Sequence, residues 1–411
     1  MSEQVHIDRI AAGGAGVGRL ADGLTVFVHR TAPGDVAEID VVKRKARYAT
    51  GRIRRLVSAG PGRTTPACRH YVHDRCGGCQ LQHLDAASQL ATKRRIVGDA
   101  LRRIAKRDVS DPEIVPSPAA WRYRAKLSLA AADGRIGLHE LERPERVFSL
   151  EDCTITADAL IAVWRRVGAC RQLLPDRLTG IVLKLDRHGS AHVVVEGATA
   201  GGDAWDAGPL MEALEDPRPA IWWRPPGGAA RVLAGASAGV PPDTFEQGNP
   251  ALAAPVRHDA VGALGSVSGC VVWDLYGGIG EAAERLAKQG ATVWLVDSDR
   301  HAIGWAASRA ARLGSTIHAI HGRAEETLPR LPAPDAVLVN PPRVGLHRRV
   351  AHRLEAWGGG GNGPLVYVSC DPATLARDLQ RMPSLELRSV TAYDLFPQTA
   401  HVETVAVLEG S

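Results

Sequence analysis

Lysine is scarce in this 411-residue chain: of its 50 basic residues only seven are Lys and 43 are Arg. A coding bias explains that blandly; a preference for bidentate phosphate contacts explains it functionally. Against 45 acidic residues the formal charge is +5, too mild to name a partner. No run of eighteen apolar residues occurs, so no membrane span is expected. The opening Met1-Ser-Glu-Gln-Val-His lacks an apolar targeting segment, so secretion is not expected either. Seven cysteines, an odd number, without a signal peptide argue against a disulfide framework. Hydrophobic residues at 45% and charged residues at 23% exclude a disordered or fibrous chain. What is left is a cytoplasmic, multidomain protein, long enough for two or three domains at ~150 residues each.

Three blocks follow along the chain. Residues 1–57 carry short β-rich runs, Val5 to Ile10, Leu24 to His29 and Val36 to Val42, punctuated by Gly13-Gly14 and Pro33-Gly34. Close spacing of such strands suggests a five-stranded barrel of the OB type. The stretch 43–55 holds Lys43, Arg44, Lys45, Arg47, Arg52, Arg54 and Arg55 with no acid, together with Tyr48. It reads as a solvated edge strand or as a phosphate-tracking face, and the small barrel favours nucleic acid. The second block, 58–240, begins with a helix expected over 84–107, apolar at Leu90, Ile96, Val97, Leu101 and Ile104. Its other face carries Lys93, Arg94, Arg95, Arg102, Arg103, Lys106 and Arg107. Short strands such as Lys126–Ala130 and Ile181–Leu185 then predict a central, mostly β domain. In the third block, 241–411, buried-strand runs at Cys270–Leu275, Ala291–Val296, Asp335–Val339 and Pro364–Ser369 alternate with helical stretches. That alternation predicts a doubly wound, mostly parallel sheet.

Four places carry candidate chemistry. Asp274-Leu-Tyr276-Gly277-Gly278-Ile-Gly280 joins a strand to a helix, and Asp297 ends the next strand. Glycines let a ligand approach the backbone, and the acid can hold ribose hydroxyls. Together with Asn340-Pro341-Pro342-Arg343 at the end of a later strand, this favours S-adenosylmethionine over NAD. Second, Cys68, Cys76 and Cys79 form a Cys-x7-Cys-x2-Cys cluster, with Cys153 the best distant fourth ligand. Such thiolates hold zinc or an iron–sulfur cluster, and spacing does not decide between them. Cys170 and Cys270 read as core residues. Third, Cys370 sits at the end of a strand, with Asp371-Pro372 opening the next helix. It is a buried small hydrophobe or a nucleophile whose thiol ionises readily near a helix N-terminus. Fourth, Glu403 begins the last apolar run; alone it reads as solvated, but beside a cysteine nucleophile it reads as a base.

The chain resembles the RNA 5-methyluridine methyltransferase family, its ribosomal RNA branch in particular, over nearly its whole length. The resemblance rests on Cys76-Gly-Gly-Cys79-Gln-Leu-Gln-His, Phe245-Glu-Gln247-Gly-Asn249, Asp274-Leu-Tyr-Gly-Gly-Ile-Gly, Asn340-Pro-Pro-Arg, Ser369-Cys370-Asp-Pro and Phe396-Pro-Gln-Thr-Ala-His-Val-Glu403, all in the family's order. It implies an N-terminal TRAM barrel that binds RNA, a central domain with a [4Fe–4S] site on Cys68, Cys76, Cys79 and Cys153, and a C-terminal Rossmann-like methyltransferase domain. It further implies Cys370 as nucleophile and Glu403 as base. Gln247, Tyr276, Asp297 and Asn340 would touch S-adenosylmethionine or shape its pocket, alongside Gly278 and Gly280 of the loop. The expected activity is methylation of carbon 5 of a uridine, in ribosomal rather than transfer RNA, by a monomer. A transfer-RNA enzyme and a non-catalytic RNA-binding factor on the same scaffold are the alternatives. Asn340 stands where the family usually has Asp, Tyr276-Gly277 where it has Phe-Cys, and Ala125 where it has Asn; these bear on efficiency and substrate.

Overall fold

A computed structural model describes residues 2–199, 205–235, 246–314, 316–361 and 363–410. Strands Ser2–Ile10, Ala15–Arg19, Thr25–His29, Ala49–Ser58 and Val36–Arg44 close, in that spatial order, into a barrel. Alternation drives the closure: Val5, Ile7, Val26, Val28, Ala37 and Ile39 point inward and are fully buried, while their neighbours face out. The basic stretch is less free than its sequence suggests. Arg44 pairs with Asp22, Arg54 and Arg55 reach Glu38, and Arg52 lies 2.7 Å from Glu142 of the central region. Three acids outside the stretch thus pair with four of its seven cations. Lys45 lies over the Tyr48 ring at 5.2 Å.

The central region is a seven-stranded sheet in the order Arg231–Ala234, Ala220–Arg224, Ala191–Ala198, Arg177–Leu185, Lys126–Ala132, Arg135–His139 and Val147–Ser149. Helix Asp158–Ala169 covers one face, burying Leu160, Ile161, Trp164 and Val167 against Ile181, Val193 and Val195.

The C-terminal sheet has eight strands, ordered Ile317–His321, Thr292–Asp297, Val271–Leu275, Ala336–Val339, Leu365–Ser369, Glu403–Gly410, Leu385–Tyr393 and Glu113–Val115. The first five are parallel; Glu403–Gly410 runs antiparallel between its two neighbours. Helices Pro250–Gly262, Glu281–Lys288 and Arg300–Leu313 cover one face, and Arg348–Gly358 and Pro372–Gln380 the other. A sheet buried on both sides needs near-continuous apolar strands, and Ala336–Val339 and Leu365–Ser369 are buried at every position.

The basic helix packs on the helix Pro372–Gln380 that covers this sheet, through Val97 and Leu101 against Leu375, Leu379 and Met382. It runs Ala86–Arg103 rather than 84–107, because Asp85 caps its start and Lys106 turns left-handed at φ 58°. Its polar face is not a free cationic stripe either. Lys93 is fully buried and paired with Asp394, Arg94 donates to Pro112 O, Arg102 joins Asp111, and Arg107 donates to Leu385 O. Among the described residues no helix is long and apolar enough to cross a membrane.

Candidate active site

The glycine loop leaves the strand Val271–Leu275 through Tyr276, held left-handed at φ 59°, with Gly278 and Gly280 at φ 56° and 76°. A Cβ on Gly277 would lie 2.3 Å from Leu295 Cδ1 and 2.6 Å from Asp274 Oδ2, so only glycine lets the loop fold this tightly. The Gly278 N–H donates to Asp297 Oδ2 at 2.8 Å, and Asp297 Oδ1 accepts from Asp299 N, which fixes that carboxylate at the strand end. Gly280 opens helix Glu281–Lys288 and packs against Leu295 and Ala306.

Two cavities flank Tyr276. The larger, about 710 Å³, is lined by Asp297, Ser298, Arg323, Pro342 and His347. The smaller, about 100 Å³, is lined by Gln247, Asp274, Gly277, Gly278, Asn340 and Val368. The structure therefore gathers five of the six residues expected at a cofactor pocket around one tyrosine. Phe245, next to Gln247 in the expected motif, lies outside the described residues. Asp274 is fully buried, with Oδ2 unpartnered; burial pushes its carboxyl up to about 7, Ala283 N–H pulls it down and Asp297 adds to the rise.

Cys370 follows the strand Leu365–Ser369, whose last pair with Glu403–Gly410 is Ser369↔Thr404. Carrying that antiparallel register one residue further sets Cys370 opposite Glu403, and opposed residues of an antiparallel pair share a face with Cβ atoms ~5 Å apart. Glu403 is buried; its carboxyl is pushed up to about 7 by burial, against the opposing pull of a Gln247 hydrogen bond and of Arg343. Gln247 Nε2 donates to Glu403 Oε1 at 3.5 Å, and Oε2 has no partner among the described residues. The thiol of Cys370 is pushed upward by burial and by Glu403, with Arg343 pulling it down. The expected ready ionisation is thus not what the surroundings favour. Asp371 caps the following helix by accepting from Thr374 N, which places a second carboxylate beside the thiol. Arg343 and His401 were quoted in the sequence motifs without a role, yet both stand at this centre. Partial desolvation and the cations Arg343, Lys93 and Arg124 push the imidazole of His401 downward, although the residue is exposed.

About the remaining motif, Cys68, Cys76, Cys79 and Cys153 all line one cavity of about 60 Å³ between helix Arg69–Val72 and the segment 150–155. All four are free thiols, the first three buried. Gly78 N–H donates to Cys76 Sγ at 3.4 Å. Burial raises the Cys76 thiol to about 12, opposed by Gly78, with Cys153 and Cys68 close enough to add to the rise. Among the described residues no three His, Cys, Asp or Glu side chains stand as a ready-made metal-ligating group. Cys170 and Cys270, expected as core residues, are only half-buried, at the margins of the central and C-terminal cores.

A doubly wound sheet whose sixth strand runs antiparallel, a glycine loop and a cysteine opposed to a buried glutamate define a methyltransferase of the Rossmann-like class. Residues 3–53 match the TRAM domain family, and residues 332–411 match the family described as tRNA (Uracil-5-)-methyltransferase. The chain is 30% identical to the 23S rRNA (uracil(1939)-C(5))-methyltransferase RlmD of Pseudomonas putida, over 99% of this chain and 94% of that protein. To the protein of the same name from Thiobacillus denitrificans it is 28% identical, over 100% of both. The solved Pyrococcus abyssi tRNA (uracil-54, C5)-methyltransferase, in complex with S-adenosyl-L-homocysteine, shares its fold at a TM-score of 0.76. That likeness covers 98% of this chain and 99% of that one at 24% identity. The chain belongs to the RNA uracil-C5-methyltransferase family.

Proposed function

We propose that this enzyme transfers a methyl group from S-adenosylmethionine to carbon 5 of a uridine in ribosomal RNA, with Cys370 as nucleophile and Glu403 as base. The register that opposes Cys370 to Glu403, beside the Tyr276 cavities, carries this reading. Carbon 5 of uracil is a poor nucleophile. Addition of the Cys370 thiolate to carbon 6 makes an enolate, whose carbon 5 takes the sulfonium methyl and leaves S-adenosylhomocysteine. The Glu403 carboxylate then removes the proton from carbon 5; the double bond re-forms and the Cys370 thiolate departs. Arg343 favours the charged form of both residues. Gln247, Tyr276, Gly278, Asp297 and Asn340 would hold the methyl donor, with Gly280 packing the loop's helix. A uridine must leave its stack to reach this site.

Ribosomal RNA is supported by the names of the near-full-length relatives. The barrel, within 1–57, would track phosphates through Lys43, Lys45 and Arg47, next to a central domain of 58–240 and a catalytic domain of 241–411. The protein would act in the cytoplasm as a monomer. Four free thiols converging on one enclosed cavity suit a [4Fe–4S] cluster held by Cys68, Cys76, Cys79 and Cys153. Bound there, it would cross-link the cysteine loop to the segment around Cys153. Purified protein should then contain iron and inorganic sulfide and absorb visible light; colourless protein with tightly held zinc overturns the cluster. Incubation with 5-fluorouridine RNA and labelled S-adenosylmethionine tests the reaction. A covalent adduct dependent on Cys370 is expected, and no adduct in the wild type rejects the mechanism. Mapping 5-methyluridine in ribosomal and transfer RNA from cells lacking the gene identifies the target.

A further inference from the structure

Among the described residues Glu403 is weakly held by its own contacts, a single 3.5 Å bond to one oxygen and none to the other. Its place must therefore be set by its backbone, which emerges from the loop 394–402. Within that loop Gln398 adopts φ 70°, a left-handed conformation that a side chain with a Cβ keeps only where its surroundings over-determine it. Two other glutamines supply those surroundings. Gln89, buried on the basic helix, accepts from Gln398 N at 2.9 Å and donates from Nε2 to Gln398 Oε1 at 3.0 Å. The backbone N–H groups of Gln80 and Leu81 both donate to Gln398 O, at 3.1 and 2.9 Å. Gln80 Oε1 accepts from Ala400 N at 3.3 Å, and Gln80 Nε2 donates to Gly77 O at 2.7 Å. The backbone N–H, the backbone carbonyl and the side-chain oxygen of Gln398 are thus all bonded to the segment 80–89.

We propose that Gln80 and Gln89 are positioning residues for the methylation, locking Gln398 and so fixing the loop that delivers Glu403 opposite Cys370. This rests on the reading of Glu403 as the base. The two residues act on one step only. Cys370 is carried by a different strand, framed on its far side by Ala336–Val339. Thiolate addition and methyl transfer should therefore proceed when the glutamine tie is cut. Removal of the proton from carbon 5 should slow, leaving methylated RNA attached to Cys370.

The test uses the full chain, unmodified ribosomal RNA and tritiated-methyl S-adenosylmethionine, with protein–RNA adducts resolved under denaturing conditions. For Gln89→Leu and Gln80→Ala, turnover should fall at least tenfold and KM for RNA should move less than threefold. The labelled adduct should rise at least fivefold. Gln89→Glu, which keeps the acceptor for Gln398 N, should recover part of the turnover. Loss of turnover without adduct, or unchanged turnover, overturns the proposal. Glu403→Gln is the reference: if it gives no adduct, the base reading falls; if it gives adduct and the glutamine variants do not, only the positioning role falls. Should Gln89→Leu fail to give a cooperative melt, Gln80→Ala decides by the same readout.

Discussion

After burial itself, the carboxylate of Glu403 is the group that most holds the Cys370 thiol in its protonated form, and Arg343 pulls the other way. Nucleophile and base are therefore electrostatically opposed at rest. At pH 8, where Glu403 is charged, Glu403→Gln should speed alkylation of Cys370 by iodoacetamide roughly threefold or more, since one repelling charge is gone. Arg343→Ala should slow it by a similar factor. The Gln variant's advantage should fade below pH 6, where Glu403 is already neutral. Equal rates in all three proteins at pH 8 would sink this picture.

Proton removal by Glu403 needs its carboxylate. With the carboxyl at about 7, release of methylated RNA should fall as pH drops through 7, with unit slope. Arg343 lowers that value, so Arg343→Ala should move the limb to higher pH. Single-turnover release measured between pH 5.5 and 9 reads both effects; a limb at the ordinary glutamate value of ~4.3 contradicts them.

The same raised carboxyl makes a statement about stability. The folded protein binds the Glu403 proton up to about 7, against 4.5 for an unperturbed group. Folding stability is therefore lost as pH rises from 4.5, and the full loss is present above 7. Replacing the group by Gln removes it, on the order of 3 kcal/mol at pH 8 and nothing at pH 4. Urea melts of Glu403→Gln and wild type at the two values check the sign; a less stable variant at pH 8 contradicts it.

Lys93 and Asp394 form a buried pair between residues 301 positions apart, and Lys93 Nζ also donates to Phe396 O at 2.9 Å. Lys93→Met leaves Asp394 buried without its cation and should cost ~3–5 kcal/mol. The double variant Lys93→Met/Asp394→Leu should recover much of that loss. A single variant within 1 kcal/mol of wild type in chemical denaturation would show that the pair is already hydrated.

Lys93 also marks where sequence reasoning stops. On a helix, a charge flanked by Arg94 and Arg95 reads as solvent-facing, and its partner lay too far along the chain to be seen. Arg44, Arg52, Arg54 and Arg55 likewise meet acids outside their stretch, Asp22 in a turn, Glu38 on another strand and Glu142 in the central region. The barrel strands were legible because alternation of Val and Ile with polar residues is a local signal. The meeting of Cys68, Cys76 and Cys79 at one cavity was legible because three thiols in twelve residues are rarely casual. Cys370 was legible as a position, at the junction of an apolar strand and Asp371-Pro372. Its protonation was not, because that depends on Glu403, brought opposite by a strand order no window of sequence contains. Nor could the left-handed Gln398, with no glycine to announce it, be read before its two partners were in place.

The tie between Gln89 and Gln398 spans 309 positions. Contacts so distant close a very long loop, at an entropic cost that contacts between neighbouring strands do not carry. A chain whose first hundred residues have not docked lacks the tie that seats the base, whereas its glycine loop and its cysteine are framed by strands nearby in sequence. Partly folded molecules could then capture RNA without releasing it, so the order of assembly, as much as the finished geometry, decides whether each molecule becomes a catalyst or a dead-end complex.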